Sequence, residues 1–319
     1  MALLICLLTL GDAFATNMKL DESYMYKMFT RFQNEMVTSS GQYRKLADLK
    51  KDPHSQSKDS PEQKQLLACT QFLNPILKKD KIRIDYFTGY ADNFRDQTHD
   101  SIEIRGFRAS LLSPCSDHPY HKLCGFRPIN GNPFLLARKI VSSSGLEKTI
   151  EIEFYDAGIS DSDIYNRARI VEQNAKSENV RRQFIQALKY TDILAYSGHS
   201  RFGGGPDFYP EHFLPSGGDD VAYYTSDKKG VKDMLNGLAA RTENPYLIFM
   251  GSCDSKKHFS KTLAQAKNAP LFSLLSLDSV TGNDAYKQFI NVMTLVLNEA
   301  CPTDFRTGFE KFQLIKNAK

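Results

Sequence analysis

His199, in the segment Tyr196-Ser-Gly-His-Ser200, and Cys253, in Met250-Gly-Ser-Cys-Asp254, are the residues whose types and settings could do chemistry. Each directly follows a short apolar run of strand character. A thiol near its ordinary pKa is only partly ionised at neutral pH, and an adjacent imidazole or helix N-terminus turns it into an effective nucleophile. For Cys253 a helix start is expected near Asp254 or Ser255, and Gly251 and Ser252 are small enough for a substrate backbone to approach. The backbone N–H groups of Cys253 and Ser200 are candidate oxyanion donors. Gly198 and the run Gly203-Gly204-Gly205 would let the chain turn tightly and openly around His199, and Asp207 is a candidate ligand contact in the same loop. Two further residues enter the reading: Asp156, ending a strand, orients His199 or a substrate amine or else serves as a cap, and His258 reads as helix surface.

The same loop supports two other readings. Gly198-His199-Ser200-Arg201-Phe202 partly matches the Gly-x-Ser-x-Gly elbow of α/β-hydrolases, which would make Ser200 the nucleophile of a serine esterase. Its fifth position is Phe202, and Gly203 to Pro206 opposes the helix that should follow at once. The second is a non-catalytic secreted binding protein in which the glycine loop and Asp207 hold a ligand. The glycine run lacks the Lys-Ser/Thr of a phosphate loop, so no nucleotide cofactor is implied.

The elements that must position these residues begin at Thr149. Strand patterns at Ile150 to Asp156, Asp192 to Ser197, Tyr246 to Met250 and Leu271 to Leu277 alternate with helical patterns through Ile164 to Leu188, Val231 to Leu238, a stretch from Ser255, and Ala285 to Leu297. Short apolar strands alternating with helices predict a mostly parallel sheet covered on both faces, an α/β three-layer sandwich over 141–319. Ligands then bind beyond the carboxyl ends of the strands, which is where His199 and Cys253 fall. Residues 16–140 read as a helical and strand region packing on the sandwich or shielding its cleft. It carries helices near Leu20 to Met36 and Pro61 to Leu77, and half-exposed or edge strands at Lys81 to Phe87 and Ser101 to Phe107. The polar Lys51 to Pro61 stretch reads as an exposed loop, and its openness to proteolysis prompts the expectation of a propeptide.

Composition narrows the partners. Forty-one basic against 37 acidic residues, with no basic stripe, exclude nucleic acid as an expected partner. Tryptophan is absent and 21 Phe and 15 Tyr supply the large core side chains. Met1 to Leu10 is apolar and leads to Ala13-Phe14-Ala15, the small-x-small form of a signal-peptidase site, so 1–15 is expected to be a signal peptide although its basic n-region is missing. A secreted or periplasmic chain with no stable membrane span after cleavage follows. Removing Cys6 leaves five cysteines, parsed as Cys115 with Cys124, Cys69 with Cys301, and Cys253 outside any bridge; five reduced core cysteines are the alternative. No Cys-x-x-Cys pair and only scattered histidines make a metal site unexpected, and no cofactor is implied.

A hydrophobic strand then His, a helix, and a hydrophobic strand then small-small-Cys resembles the caspase, legumain, gingipain and clostripain group of cysteine peptidases, over roughly Thr149 to Ala300. The resemblance implies a caspase-like fold and thiol-dependent hydrolysis of peptide bonds in a protein or peptide substrate. Cys253 would attack the carbonyl, and His199 would act as general acid and base. The family places Gly directly after its histidine, whereas this chain has Ser200 there and Gly198 before.

Overall fold

The computed structural model describes residues 23, 26–31, 43–90, 98–115, 122–305 and 308–317. The signal-like segment lies outside these residues, as does most of the first expected helix, of which 26–31 are helical. In chain order the elements are β1 (Tyr43–Lys45), α1 (Leu46–Lys51), α2 (Pro61–Leu77), β2 (Lys81–Thr88), α3 (His99–Leu112), β3 (Arg127–Ile129), β4 (Asn132–Val141) and β5 (Glu147–Tyr155). They continue with α4 (Asp163–Ala168), α5 (Ile170–Ala187), β6 (Ile193–Ser197), α6 (Val221–Asp227), α7 (Lys229–Ala239), β7 (Leu247–Gly251) and α8 (Ser255–Gln265). The chain closes with β8 (Phe272–Ser276), α9 (Gly282–Asn298), β9 (Ala300–Pro302) and β10 (Phe312–Lys316).

Eight strands form the main sheet in the order β10-β8-β7-β6-β2-β5-β4-β3, and β1 pairs with β9 apart from it. The five strands β5, β2, β6, β7 and β8 run parallel, while β10 and the β3–β4 hairpin add antiparallel edges. Strand order reverses between β2 and β6, the place where the loops beyond an open sheet separate and leave a crevice. Alternate residues of each strand feed two cores. Ile193, Ala195, Leu247 and Phe249 face the layer containing α2, α3 and α9, whereas Leu194, Tyr196, Ile248 and Met250 face the layer containing α5, α7 and α8. Phenylalanine and tyrosine fill both: Phe107 meets Tyr86, Phe154, Tyr286 and Phe289 on the first face, and Phe184 meets Phe87, Tyr196 and Phe208 on the second. The expected mostly parallel α/β sandwich is therefore present.

Three features differ from the sequence expectation. The first is the place of β2, which precedes residue 140 yet lies at the centre of the sheet instead of an edge. Its polar residues are matched from neighbouring strands. The Arg83 N–H donates to Asp192 Oδ2 at 2.9 Å, and the Arg83 guanidinium pairs with Glu153 at 2.9 Å. Asp85 is fully buried beside Arg83, and burial pushes its carboxyl up to about 6. The second is Ser101 to Phe107, which forms part of helix α3 rather than a strand. The alternation of Ile102 and Ile104 is short, while Ile104, Phe107 and Leu111 repeat at helical spacing and are all buried. The third is the β3–β4 hairpin, unanticipated although Asn130-Gly131 marks its turn. Their φ values of 54° and 69° place both in the left-handed region that a two-residue hairpin turn requires.

Two disulfides join Cys69 to Cys301 and Cys115 to Cys124, and Cys253 takes part in neither, as the cysteine parsing expected. They fit a protein of an oxidising compartment. The first ties α2 to β9 across a sequence separation of 232 residues, the second spans only 9. In the chain-entropy account the long loop contributes about 5 kcal/mol and the short one about 2.5 kcal/mol. Replacing Cys69 and Cys301 together by serine should therefore destabilise the protein roughly twice as much as replacing Cys115 and Cys124. Urea unfolding of the two double variants checks the ratio, and equal losses would contradict it.

Candidate functional site

Strands β6 and β7 are direct neighbours in parallel register, with Ser197 opposite Gly251. Beyond that pair the Gly198 N–H still donates to the Gly251 carbonyl at 3.2 Å. His199 and Cys253 thus each follow a paired position by two residues, at the same end of adjacent strands. His199 also follows the strand at which strand order reverses, β6 being paired directly with β2 through Thr88 and Ser197.

The backbone that presents His199 is held from below by Tyr196. The Tyr196 hydroxyl is fully buried, lies 3.0 Å from the His199 carbonyl and 3.1 Å from the Asp207 carbonyl, and accepts the Asp207 N–H at 3.0 Å. Its ring leaves no space for side chains on either flank. A Cβ on Gly198 would lie 2.7 Å from this hydroxyl and one on Gly89 2.4 Å, so Gly198 serves the close packing of the turn.

The His199 side chain is partly exposed, but its Nε2 is shielded from solvent and makes no hydrogen bond among the described residues. Burial, reinforced by the nearby Arg201 cation, pushes the imidazole down to about 3. The ring is therefore neutral at physiological pH and able to take a proton.

The loop after His199 is tight, as expected, but packed instead of open. Arg201, itself at φ 43°, pairs with Asp207 at 3.0 Å and Glu211 at 2.7 Å, and its guanidinium covers the Tyr224 ring. Asp207 thus braces the loop from inside, its carboxyl raised by burial against the opposing pull of Arg201. The glycines seat this loop on other elements. A Cβ on Gly203 would meet His258 Nδ1 at 2.6 Å, and one on Gly205 would meet the Val231 nitrogen at 2.3 Å. His258 accordingly packs beneath the glycine loop instead of lying on open helix surface. Ser200 is 7% exposed, and its carbonyl accepts from the Gly203 N–H at 3.0 Å. Only a short 3₁₀ turn follows it, and the next α-helix is α6. That is not the immediate helix of a nucleophile elbow.

Cys253 sits on a turn pinned to β8. Ser252 is 1% exposed with its carbonyl taken by the Ser276 hydroxyl, the Ser255 N–H donates to Ser276 Oγ at 2.9 Å, and the Asp254 N–H donates to the Asp278 carbonyl at 3.1 Å. Asp254 adopts φ 52° and α8 begins at Ser255, so the thiol does stand just ahead of a helix N-terminus. The thiol itself lies 3.6 Å from the Val280 carbonyl, immediately before the capped start of α9. Gly251 is buried. A Cβ there would meet Ala285 Cβ at 2.6 Å, so the glycine admits α9 to the sheet. Asp156 is engaged elsewhere, with Lys176 at 2.8 Å and the Ser101 hydroxyl at 3.1 Å.

Among the described residues, no group of three or more His, Cys, Asp or Glu side chains could hold a metal ion, and no helix is long and apolar enough to cross a membrane. No family model matches the chain, and no curated protein or solved structure matches it either.

Two predictions follow from this geometry. Tyr196→Phe leaves the buried Asp207 N–H and the carbonyls facing it without their partner, and should cost about 1–3 kcal/mol in urea unfolding. His199 binds its proton more weakly in the native state than in the unfolded state. Its contribution to stability is complete above pH 6.5 and is lost as pH falls from there toward 3. The difference in unfolding free energy between wild type and His199→Gln should change by about 1.4 kcal/mol per pH unit within that window. A pH-independent difference would contradict the buried neutral imidazole.

Proposed function

We propose that this chain is an exported, caspase-like cysteine peptidase that cleaves peptide bonds with a Cys253–His199 dyad. The observation that carries the reading is the in-register pairing of β6 with β7, with a histidine and a cysteine at matching positions beyond the pair. Two disulfides support export to an oxidising compartment.

In this mechanism His199 takes the thiol proton as Cys253 Sγ bonds to the substrate carbonyl carbon. The resulting oxyanion is met by the backbone N–H groups of Cys253 and Ser200. The imidazolium, disfavoured in its buried setting, passes its proton to the leaving amine as the C–N bond breaks, leaving a thioester. His199 then removes a proton from water, which attacks the thioester carbon, and the thiol leaves as the acid product forms. Protein or peptide is the substrate class, and the dyad requires neither metal nor cofactor.

The test is hydrolysis of a fluorogenic peptide library. Cys253→Ala and His199→Ala should abolish turnover above background, while Ser200→Ala, which keeps its backbone N–H, should stay within about tenfold of wild type. Loss of hydrolysis in Ser200→Ala alone would replace this reading by the serine one.

A further inference from the structure

A carboxyl group is buried at the end of β6 and has no part in the mechanism above. Glu103, on α3, is 4% exposed and belongs to the face of the sheet covered by α9. One of its oxygens accepts from the Tyr86 hydroxyl, and the other accepts from the Ser197 hydroxyl at 3.4 Å. That second oxygen also lies 3.6 Å from where a Cβ on Gly282, the first residue of α9, would stand. Ser197 ends β6, two residues before His199. Gly282 follows Val280, whose carbonyl meets the Cys253 thiol. One carboxyl is therefore bonded to the side chain that ends β6 and borders the start of α9.

We propose that Glu103 is a positioning residue of the His199–Cys253 site, holding the end of β6 through Ser197 and bordering the first residue of α9, two positions after the Val280 carbonyl that meets the thiol. The inference rests on the dyad reading and adds a residue that neither touches substrate nor follows from the His and Cys motifs. A carboxyl buried this deeply is costly unless its hydrogen bonds are made, and both of its oxygens have a partner. The groups that face it are Tyr86 from β2, Ser197 from β6 and Tyr286 from α9, and both phenols are driven far above their ordinary range by burial. None of them is a cation. Burial raises the Glu103 carboxyl to about 7, against the lowering effect of its two hydrogen bonds. Close to neutrality the group gains a negative charge under the end of β6, and a negative charge on that side of the site disfavours the Cys253 thiolate.

The test is the pH dependence of Cys253 alkylation by iodoacetamide in the intact, disulfide-bonded protein, read by peptide mass spectrometry. Wild type should show an inflection near pH 7 in addition to the thiol's own titration. Glu103→Gln, nearly isosteric, with its Oε1 accepting from the Tyr86 hydroxyl and its amide N–H donating to Ser197 Oγ in place of the bond Ser197 now donates, should lose that inflection and react about three- to tenfold faster at pH 8, the effect of a thiol pKa lower by half to one unit. Ser197→Ala supplies an independent reading. Removing a hydrogen bond that lowers the Glu103 pKa should move the inflection to higher pH. A structural role alone would shift melting temperature without reshaping these profiles. Superimposable profiles for wild type, Glu103→Gln and Ser197→Ala overturn the inference and leave the dyad standing. A native wild-type Cys253 that resists alkylation at every pH overturns the dyad reading and this inference with it.

Discussion

The hydrogen bond from the Gly198 N–H to the Gly251 carbonyl extends the β6–β7 ladder one step beyond its last paired residues, and the candidate site depends on that step. In a parallel pair the register is set by the apolar side chains on both faces, because a slip of one residue would exchange the two cores. Leu194 and Tyr196 belong to one core and Ala195 to the other, matched across the pair by Ile248, Met250 and Phe249. The packing that stabilises the sheet therefore also fixes where a histidine and a cysteine emerge from it.

Beyond the ladder the two loops are rigidified by different means. The His199 loop relies on buried polar groups: the Tyr196 hydroxyl under the turn, and Arg201 between Asp207 and Glu211. Removing one partner from such a group leaves the other unsatisfied in a low-dielectric interior, so the loop has few alternative arrangements. The Cys253 turn relies on hydroxyls, with Ser255 and Ser276 stitching it to β8. Both loops also use close backbone approach, at Gly205 against α7 and at Gly251 against α9. The consequence is that the positions of His199 and Cys253 are set by packing within the chain itself.

Much of this was legible in the sequence where one physical signal dominated. The runs at 193–197, 247–251 and 272–276 are buried on both faces, so continuous apolarity marked them as interior parallel strands, and the strand-end positions of His199 and Cys253 followed. The disulfide pairing was legible from an odd count and one close pair. Legibility failed where tertiary partners supply what the local pattern lacks. Lys81 to Phe87 alternates polar and apolar as an edge strand does, and only Asp192 and Glu153, distant in sequence, make it central. Ile102 and Ile104 mimic a strand inside a helix whose other contacts come from α9 and β2. The hairpin at Asn130-Gly131 did carry a local signal. Glu103 carried none, because its contacts come from elements distant in sequence.

The central claim is that His199 and Cys253 form one reactive site at the end of the sheet. Labelling with a peptidyl acyloxymethyl ketone tests it most directly, because that electrophile needs both a bound peptide backbone and an activated thiol. The account predicts adduct mass on the peptide containing Cys253 in the native protein, formed at least about tenfold more slowly in His199→Ala. Equal labelling of wild type and His199→Ala, or labelling of Cys253 only after unfolding, would contradict it.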